Sequence, residues 1–233
     1  MNSRLTTLVA PALAALFVLS TGLLAADAAK KAGKPELARI KIKLPKPLFV
    51  GTPRNIRSPN LEKPRGKLRP PFLAPKGATN VALEKPATSS DEEPIIGELD
   101  LITDGDKEGA DGSFVELGPG LQHVQIDLEA EFNVYAIVIW HYHQAARVYR
   151  DVVVQTADDP DFIMNVRTIF NNDHDNSAGL GIGKDKEFID TFEGKLIDAK
   201  GIKVRYLRLY SKGNTSNDQN HYIEVEVYGT PAK

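Results

Sequence analysis

The run Trp140-His141-Tyr142-His143 places two imidazoles at i and i+2. On a strand, that spacing points both His side chains to one face and Trp140 and Tyr142 to the other. Arg147 follows four residues on, across a hairpin loop expected at Gln144-Ala145-Ala146. A second polar cluster, Asn171-Asn172-Asp173-His174-Asp175-Asn176-Ser177, opens a long segment that turns glycine-rich. Such side chains can hydrogen-bond a ligand or serve as structural partners beneath a folded loop. His141, His143 and His174 can also chelate a transition metal. With Asp175 they would even support hydrolysis through metal-bound water.

A third cluster is acidic. Asp104, Asp106, Glu108 and Asp111 fall within eight residues, interleaved with Gly105, Gly109 and Gly112. Oxygen ligands on a tight glycine-rich loop suit a hard cation such as Ca²⁺; the alternative is an acidic turn in which Asp104 caps the backbone. An EF-hand is excluded, because position twelve is Val115 and no flanking helices are expected. Gly179 to Lys184 imitates a phosphate loop without its spacing or its strand–loop–helix setting. Gly-x-Ser-x-Gly does not occur, and the absence of cysteine excludes thiolate zinc sites, a cysteine nucleophile and disulfides.

The elements that must position these residues are strands. From Asn80 onward, short β-branched or aromatic runs alternate with Gly, Asp and Asn turns. Strands are expected at 122–128, 135–143, 149–155, 186–189, 205–210 and 221–228. In the last, Ile223, Val225 and Val227 oppose Tyr222, Glu224, Glu226 and Tyr228, the pattern of a half-buried strand. No helical stripe is convincing. Residues 80–233 therefore predict an all-β, antiparallel sandwich or barrel.

Two segments precede this body. Residues 1–28 carry Arg4, the apolar run Ala12–Leu24 and an Ala-Asp-Ala site, the layout of a cleaved secretory signal. The apolar run is short for a membrane span, so an exported protein with no transmembrane segment after cleavage is expected. Residues 29–79 form a basic, proline-rich arm with nine prolines, expected to be irregular apart from a lone strand in Ala38–Leu44. Between Lys30 and Thr79 the net charge is +12, whereas residues 80–233 carry −14, so the overall −2 hides two opposed pieces. The arm reads as attachment to an anionic surface, or as a linker lying on the acidic body. Nucleic acid is disfavoured, since export removes the chain from it and the arm offers only Phe49 and Phe72 for stacking.

The body resembles the coagulation factor 5/8 type C (discoidin, galactose-binding-like) family. The resemblance lies in Asn80–Ser90, in Ile102-Thr103-Asp104-Gly105-Asp106 and in Val124–Leu128. It continues in Arg205–Tyr210 and in Glu224-Val225-Glu226-Val227-Tyr228-Gly229. Glu84 stands where the family usually has Gly, His123 where it has an aromatic residue, and Asn171–Glu193 is longer than usual. The resemblance implies a jelly-roll β-sandwich with ligand sites in its end loops. It implies a structural Ca²⁺ held by Asp104, Asp106 and Glu224. It also aligns the region of His141, His143 and Arg147 with a sugar-gripping site, although the family's usual Arg and Asn are not matched there residue for residue. Asn172, His174 and Asp175 of the polar loop join them as candidate ligand residues, and Trp140 or Tyr142 would offer a ring face if exposed. The function expected is an exported, non-catalytic module that recognises glycan. The alternatives are a cell-envelope tethering protein and a metal-dependent hydrolase using the His cluster.

Overall fold

Two long strands organise the molecule, seen in a computed structural model that describes residues 35–49 and 56–232. The expected signal peptide lies outside these residues. In chain order the strands are β1 (Leu37–Arg39), β2 (Leu73–Pro75), β3 (Thr79–Asn80), β4 (Ala87–Ser89), β5 (Val115–Leu117) and β6 (Gln122–Trp140). They continue with β7 (Val153–Ala157), β8 (Arg167–Asn171), β9 (Lys195–Ser211), β10 (Asn220–Tyr222) and β11 (Glu224–Pro231). The main sheet runs β3-β11-β6-β9-β7-β8, with β4 also on β6, and β10-β5 forms a small second sheet. Every ladder between these strands is antiparallel. The expected all-β antiparallel architecture is the one the chain adopts.

β6 and β9 are long because each is bent rather than ended. Their register slips between Asp127 and Phe132 and again between Val134 and Ala136. At the first slip Glu129 takes φ 63°, and Asp127 Oδ1 accepts its N–H at 2.7 Å. On the facing strand Asp198 Oδ1 accepts the N–H of Lys200 (φ 56°) at 2.9 Å. An Asp two residues upstream thus satisfies the amide that the interrupted ladder leaves free. The first half of β6 then pairs with β4, and the second half with β11.

Alternation decides the packing. Val124, Ile126 and Leu128 enter the main core with Leu207, Leu209, Val225 and Val227, and Val115, Leu117 and Tyr222 of the small sheet close it. Beyond the bend β6 is apolar on both faces. Ile137 and Ile139 face the main core, whereas Ala136, Val138 and Trp140 belong to a second cluster with Ile223 and Tyr228. A strand buried on both faces needs a layer on each.

The arm supplies that second layer. Ile40, Ile42 and Phe72 pack on the Ala136–Val138–Trp140 cluster. β1 is not a lone strand: it pairs with β2, and the Ile40 N–H donates to Phe72 O at 3.1 Å. Ion pairs of both polarities join the arm to the acidic body. The Arg65 guanidinium lies 2.6 Å from Glu193, the Arg69 N–H donates to the same carboxylate, and Lys195 pairs with Glu62 at 2.7 Å. Of the two readings of the arm, these contacts match the segment lying on its own acidic body. Among the described residues no helix is long and apolar enough to cross a membrane.

Candidate functional site

The loop after β8 builds itself from its own amides and carboxylates. Asn171 Oδ1 accepts the Asp173 N–H, and Asp173 accepts from Ser177 N and Ala178 N at 3.1 and 2.9 Å. Asn176, in the left-handed region at φ 60°, accepts the Gly181 N–H. Gly183 is required where it stands, since a Cβ there would meet Asn171 O at 2.3 Å. Asn172 anchors the loop to the start of β7: its N–H donates to Val152 O, and its Oδ1 accepts the Val152 N–H at 2.7 Å. That bond fixes which end of the amide is oxygen.

Beside this loop lies a cavity of about 660 Å³, walled by Asn172, His174 and Asp175 and by Asp151, Glu187 and Lys212, with Arg150 and Pro119 at its edges. Three of its buried polar atoms have no hydrogen-bond partner: Asn172 Nδ2, His174 Nε2 and Glu187 Oε2. Lys212 reaches across to donate to Ser177 O at 3.0 Å, and the Ser177 hydroxyl donates to Asp151 at 2.5 Å. Asp151 holds φ 50°, a conformation that costs a non-glycine residue. Burial pushes its carboxyl upward, and the charges of Asp173 and Asp175 add to that.

The expected ligand residues divide into two groups. Asn172, His174 and Asp175 line this cavity; His141, His143 and Arg147 do not. The chain leaves the ladder after Trp140, which pairs with the first residue of β11, so 141–143 are not strand. His141 is 1% exposed, donates from Nδ1 to Asp190 at 3.0 Å and stacks on Tyr149 at 4.3 Å. His143 is fully buried, with Nε2 2.8 Å from Lys107 O. Arg147 lies 4.4 Å over the Tyr142 ring. Trp140 is buried in the second cluster, its indole N–H donating to Phe192 O, so it offers no ring face. Asp151, Glu187 and Lys212 were not legible in the sequence. They come from a strand approach, an irregular segment and a strand end with no motif in common.

Another buried histidine, His221, links a tyrosine to a glutamate. The Tyr149 hydroxyl is 2.9 Å from His221 Nδ1, and His221 Nε2 is 3.0 Å from Glu116. A neutral ring accepts from Tyr149 and donates to Glu116; a protonated ring would donate from both nitrogens, and the Tyr149 hydroxyl would have to turn and accept. Burial, with Arg147 and His141 adding, holds His221 down at about 3, and burial, with Arg208 adding, holds His123 at about 4. Burial pushes Glu224 the other way, up to about 9. Both histidines take protons in the unfolded chain near pH ~6.5, so their stabilisation is present above that pH and fades on acidification towards 3–4. Glu224 contributes fully below the usual carboxylate pKa of ~4.5 and loses that contribution as pH rises towards 9. Two histidines outweigh one glutamate below pH ~6.5, and Glu224 acts alone above it. Melting temperature should therefore peak near pH ~6.5 in a scan from mildly acidic to mildly alkaline buffer; a steady rise to the alkaline end would contradict this.

Of the residues to which the resemblance assigns Ca²⁺, Glu224 opens β11, and Asp104 and Asp106 flank Gly105, which contacts it. Glu224 Oε2 accepts the Gly105 N–H at 3.0 Å, while the buried Oε1 has no partner. Asp104 contributes to raising Glu224, and Asp104 and Asp106 accept the N–H groups two residues on. The free, buried carboxylate oxygen fits a cation. A positive group already stands close: the Lys107 ammonium donates to Gly105 O at 2.9 Å and to Glu226 at 2.8 Å.

No protein-family model and no curated protein matches the chain. Solved structures show a similar trace. A chitosan-binding module of a chitosanase/glucanase from Paenibacillus sp. IK-5 is 19% identical, covering 65% of this chain and 99% of its own, with a TM-score of 0.48. A fucose-binding module from Streptococcus pneumoniae is 20% identical, covering 66% of this chain and 98% of its own, at 0.47. A family 89 glycoside hydrolase from Clostridium perfringens is 16% identical at 0.47; the match covers 66% of this chain and 15% of the hydrolase.

Proposed function

We propose that this chain is a non-catalytic carbohydrate-binding protein, and that the glycan occupies the cavity of Asn172, His174 and Asp175. The observation that carries this is the set of three buried, unpartnered polar atoms, Asn172 Nδ2, His174 Nε2 and Glu187 Oε2, on three residues that line one cavity. A buried polar atom without a partner costs about 1–3 kcal/mol, so the three favour an occupant that supplies both donors and acceptors. A sugar hydroxyl does both at once, and the volume falls in the range of small-ligand sites. Arg150 and Lys212 beside Asp151 and Asp175 add charged groups of both signs to the wall. Export by the N-terminal signal remains part of this reading, as does a structural Ca²⁺ at Asp104, Asp106 and Glu224. The hydrolase alternative loses its basis, because His141 and His143 hold separate interior partners away from His174's cavity.

The test is an array of neutral, amino and acidic oligosaccharides probed with the full chain, followed by calorimetric titration of each hit. Asn172→Ala removes one donor, worth about 1 kcal/mol, and should weaken binding about fivefold. Binding to a hit that Asn172→Ala and His174→Ala leave unchanged would place the sugar elsewhere.

A further inference from the structure

Two residues of the cavity wall, Asp151 and Asp175, join the buried Asp173 in an arrangement that sugar recognition alone does not call for. Asp151, Asp173 and Asp175 each offer a carboxylate oxygen, and the three oxygens lie within 4.8 Å of one another. At the corners of a triangle of that side, three oxygens lie roughly 2.8 Å from its centre against the 2.3–2.6 Å that Ca²⁺ takes, so a shift of a few tenths of an ångström brings all three onto one ion. Among the described residues no other group of three His, Asp or Glu is set so closely. Asp173 is fully buried; its oxygens accept only loop N–H groups, each worth less than a full counter-charge. The nearest cation, Lys212, stands 4.0 Å from Asp151. Acidic clusters of this kind also occur without an ion, and the cavity wall provides the independent observation. Asn172, which lines the cavity beside Asp151 and Asp175, is 2% exposed, its Oδ1 is fixed on the Val152 N–H, and its buried Nδ2 has no acceptor.

We propose that Asp151, Asp173 and Asp175 hold a divalent, oxygen-seeking cation of the Ca²⁺ class, which presents a bound ligand oxygen to Asn172 Nδ2. Three carboxylates leave coordination positions open on an ion that takes 6–8 oxygens. In the absence of sugar, water fills them. With sugar, a hydroxyl bound through its oxygen accepts from Asn172 Nδ2 and donates its proton to Glu187 Oε2, because a cation strengthens the hydroxyl as a donor. The cation site stands without the glycan reading; only the bridging role rests on it.

Calorimetric titration of chelator-stripped full-length protein with CaCl₂, repeated with MgCl₂, tests the site. The expected result is a saturable Ca²⁺ event that Asp151→Asn and Asp175→Asn each weaken at least tenfold and Glu224→Gln leaves intact. Mg²⁺, which demands a tighter octahedron, should bind more weakly. A Ca²⁺ response made up solely of an event that Glu224→Gln abolishes and the triad variants leave alone would assign the ion to Asp104, Asp106 and Glu224 alone and overturn the proposal. No Ca²⁺ event at millimolar concentration would overturn it as well. Glycan titrations with and without Ca²⁺ separate the two readings: sugar binding that ignores Ca²⁺ ends the bridge alone, and Ca²⁺ binding without any sugar hit ends the glycan reading alone.

Discussion

Replacing Lys107 by methionine is expected to cost roughly 3–5 kcal/mol, the penalty for removing one partner of a buried ion pair. Lys107 is 8% exposed and its ammonium sits between Gly105 O and Glu226, 5.5 Å over the Trp140 ring. Glu226 is also buried, and fully buried Glu224 stands close enough that Lys107 lowers its pKa. Without the ammonium, two buried carboxyl groups share one small volume, with Tyr228 OH the remaining donor to Glu226 at 2.8 Å. The two can escape only by taking up protons, so the loss should be largest in alkaline buffer. An exposed pair gives the contrast. Lys203 and Glu131 are 2.8 Å apart but half-exposed, and Lys203→Met should cost no more than about 1 kcal/mol. Adding Glu226→Gln to Lys107→Met should recover part of the loss, because the stranded charge disappears with it. Denaturant unfolding of the four proteins checks this. Equal costs for Lys107→Met and Lys203→Met would show that the buried pair carries no more stability than an exposed one.

The arm should matter as much. Changing Ile40, Ile42 and Phe72 together to alanine strips the cover from Ala136, Val138 and Trp140. Full burial of such side chains is worth ~2–5 kcal/mol each in truncation experiments, and these three are half-buried. A combined loss of roughly 4–6 kcal/mol follows, a large share of the ~5–15 kcal/mol that keeps a domain folded. High salt should reproduce little of it, since the Arg65–Glu193 contact adds to the apolar packing and does not replace it. If the triple variant unfolds within about 1 kcal/mol of the parent, the arm is a tethered spacer after all.

The arm also shows where sequence reading stops. Ala38–Leu44 displays the alternation of a half-buried strand, and that much was legible. Its partner was not: Leu37–Arg39 pairs with Leu73–Pro75, more than thirty residues on, and β2 itself contains a proline. Proline density pointed to an extended spacer, and the apolar residues within it decided the outcome. In the body, periodicity found β6, the end of β9 and β11, because each buries one face on the same core. It divided β6 at its bend, where Glu129 turns left-handed, and it extended the strand over His141–His143, where pairing with β11 has already ended. The site was half legible for a related reason. Asn172, His174 and Asp175 stand out as a local run of polar residues. Asp151, Glu187 and Lys212 reach the cavity through the approach of β7, β9 and the segment between them, which no local pattern records.

Titration of one array-selected oligosaccharide into wild-type protein and into the Asn172→Ala, His174→Ala double variant, with melting temperatures measured alongside, tests the central claim most directly. Saturable one-site binding by the wild type and a loss of at least tenfold in the double variant are expected, with the double variant still unfolding cooperatively at a melting temperature lowered by the lost Val152 N–H to Asn172 Oδ1 bond. Undiminished affinity in a folded double variant, or an array on which the wild type binds no glycan, would contradict it.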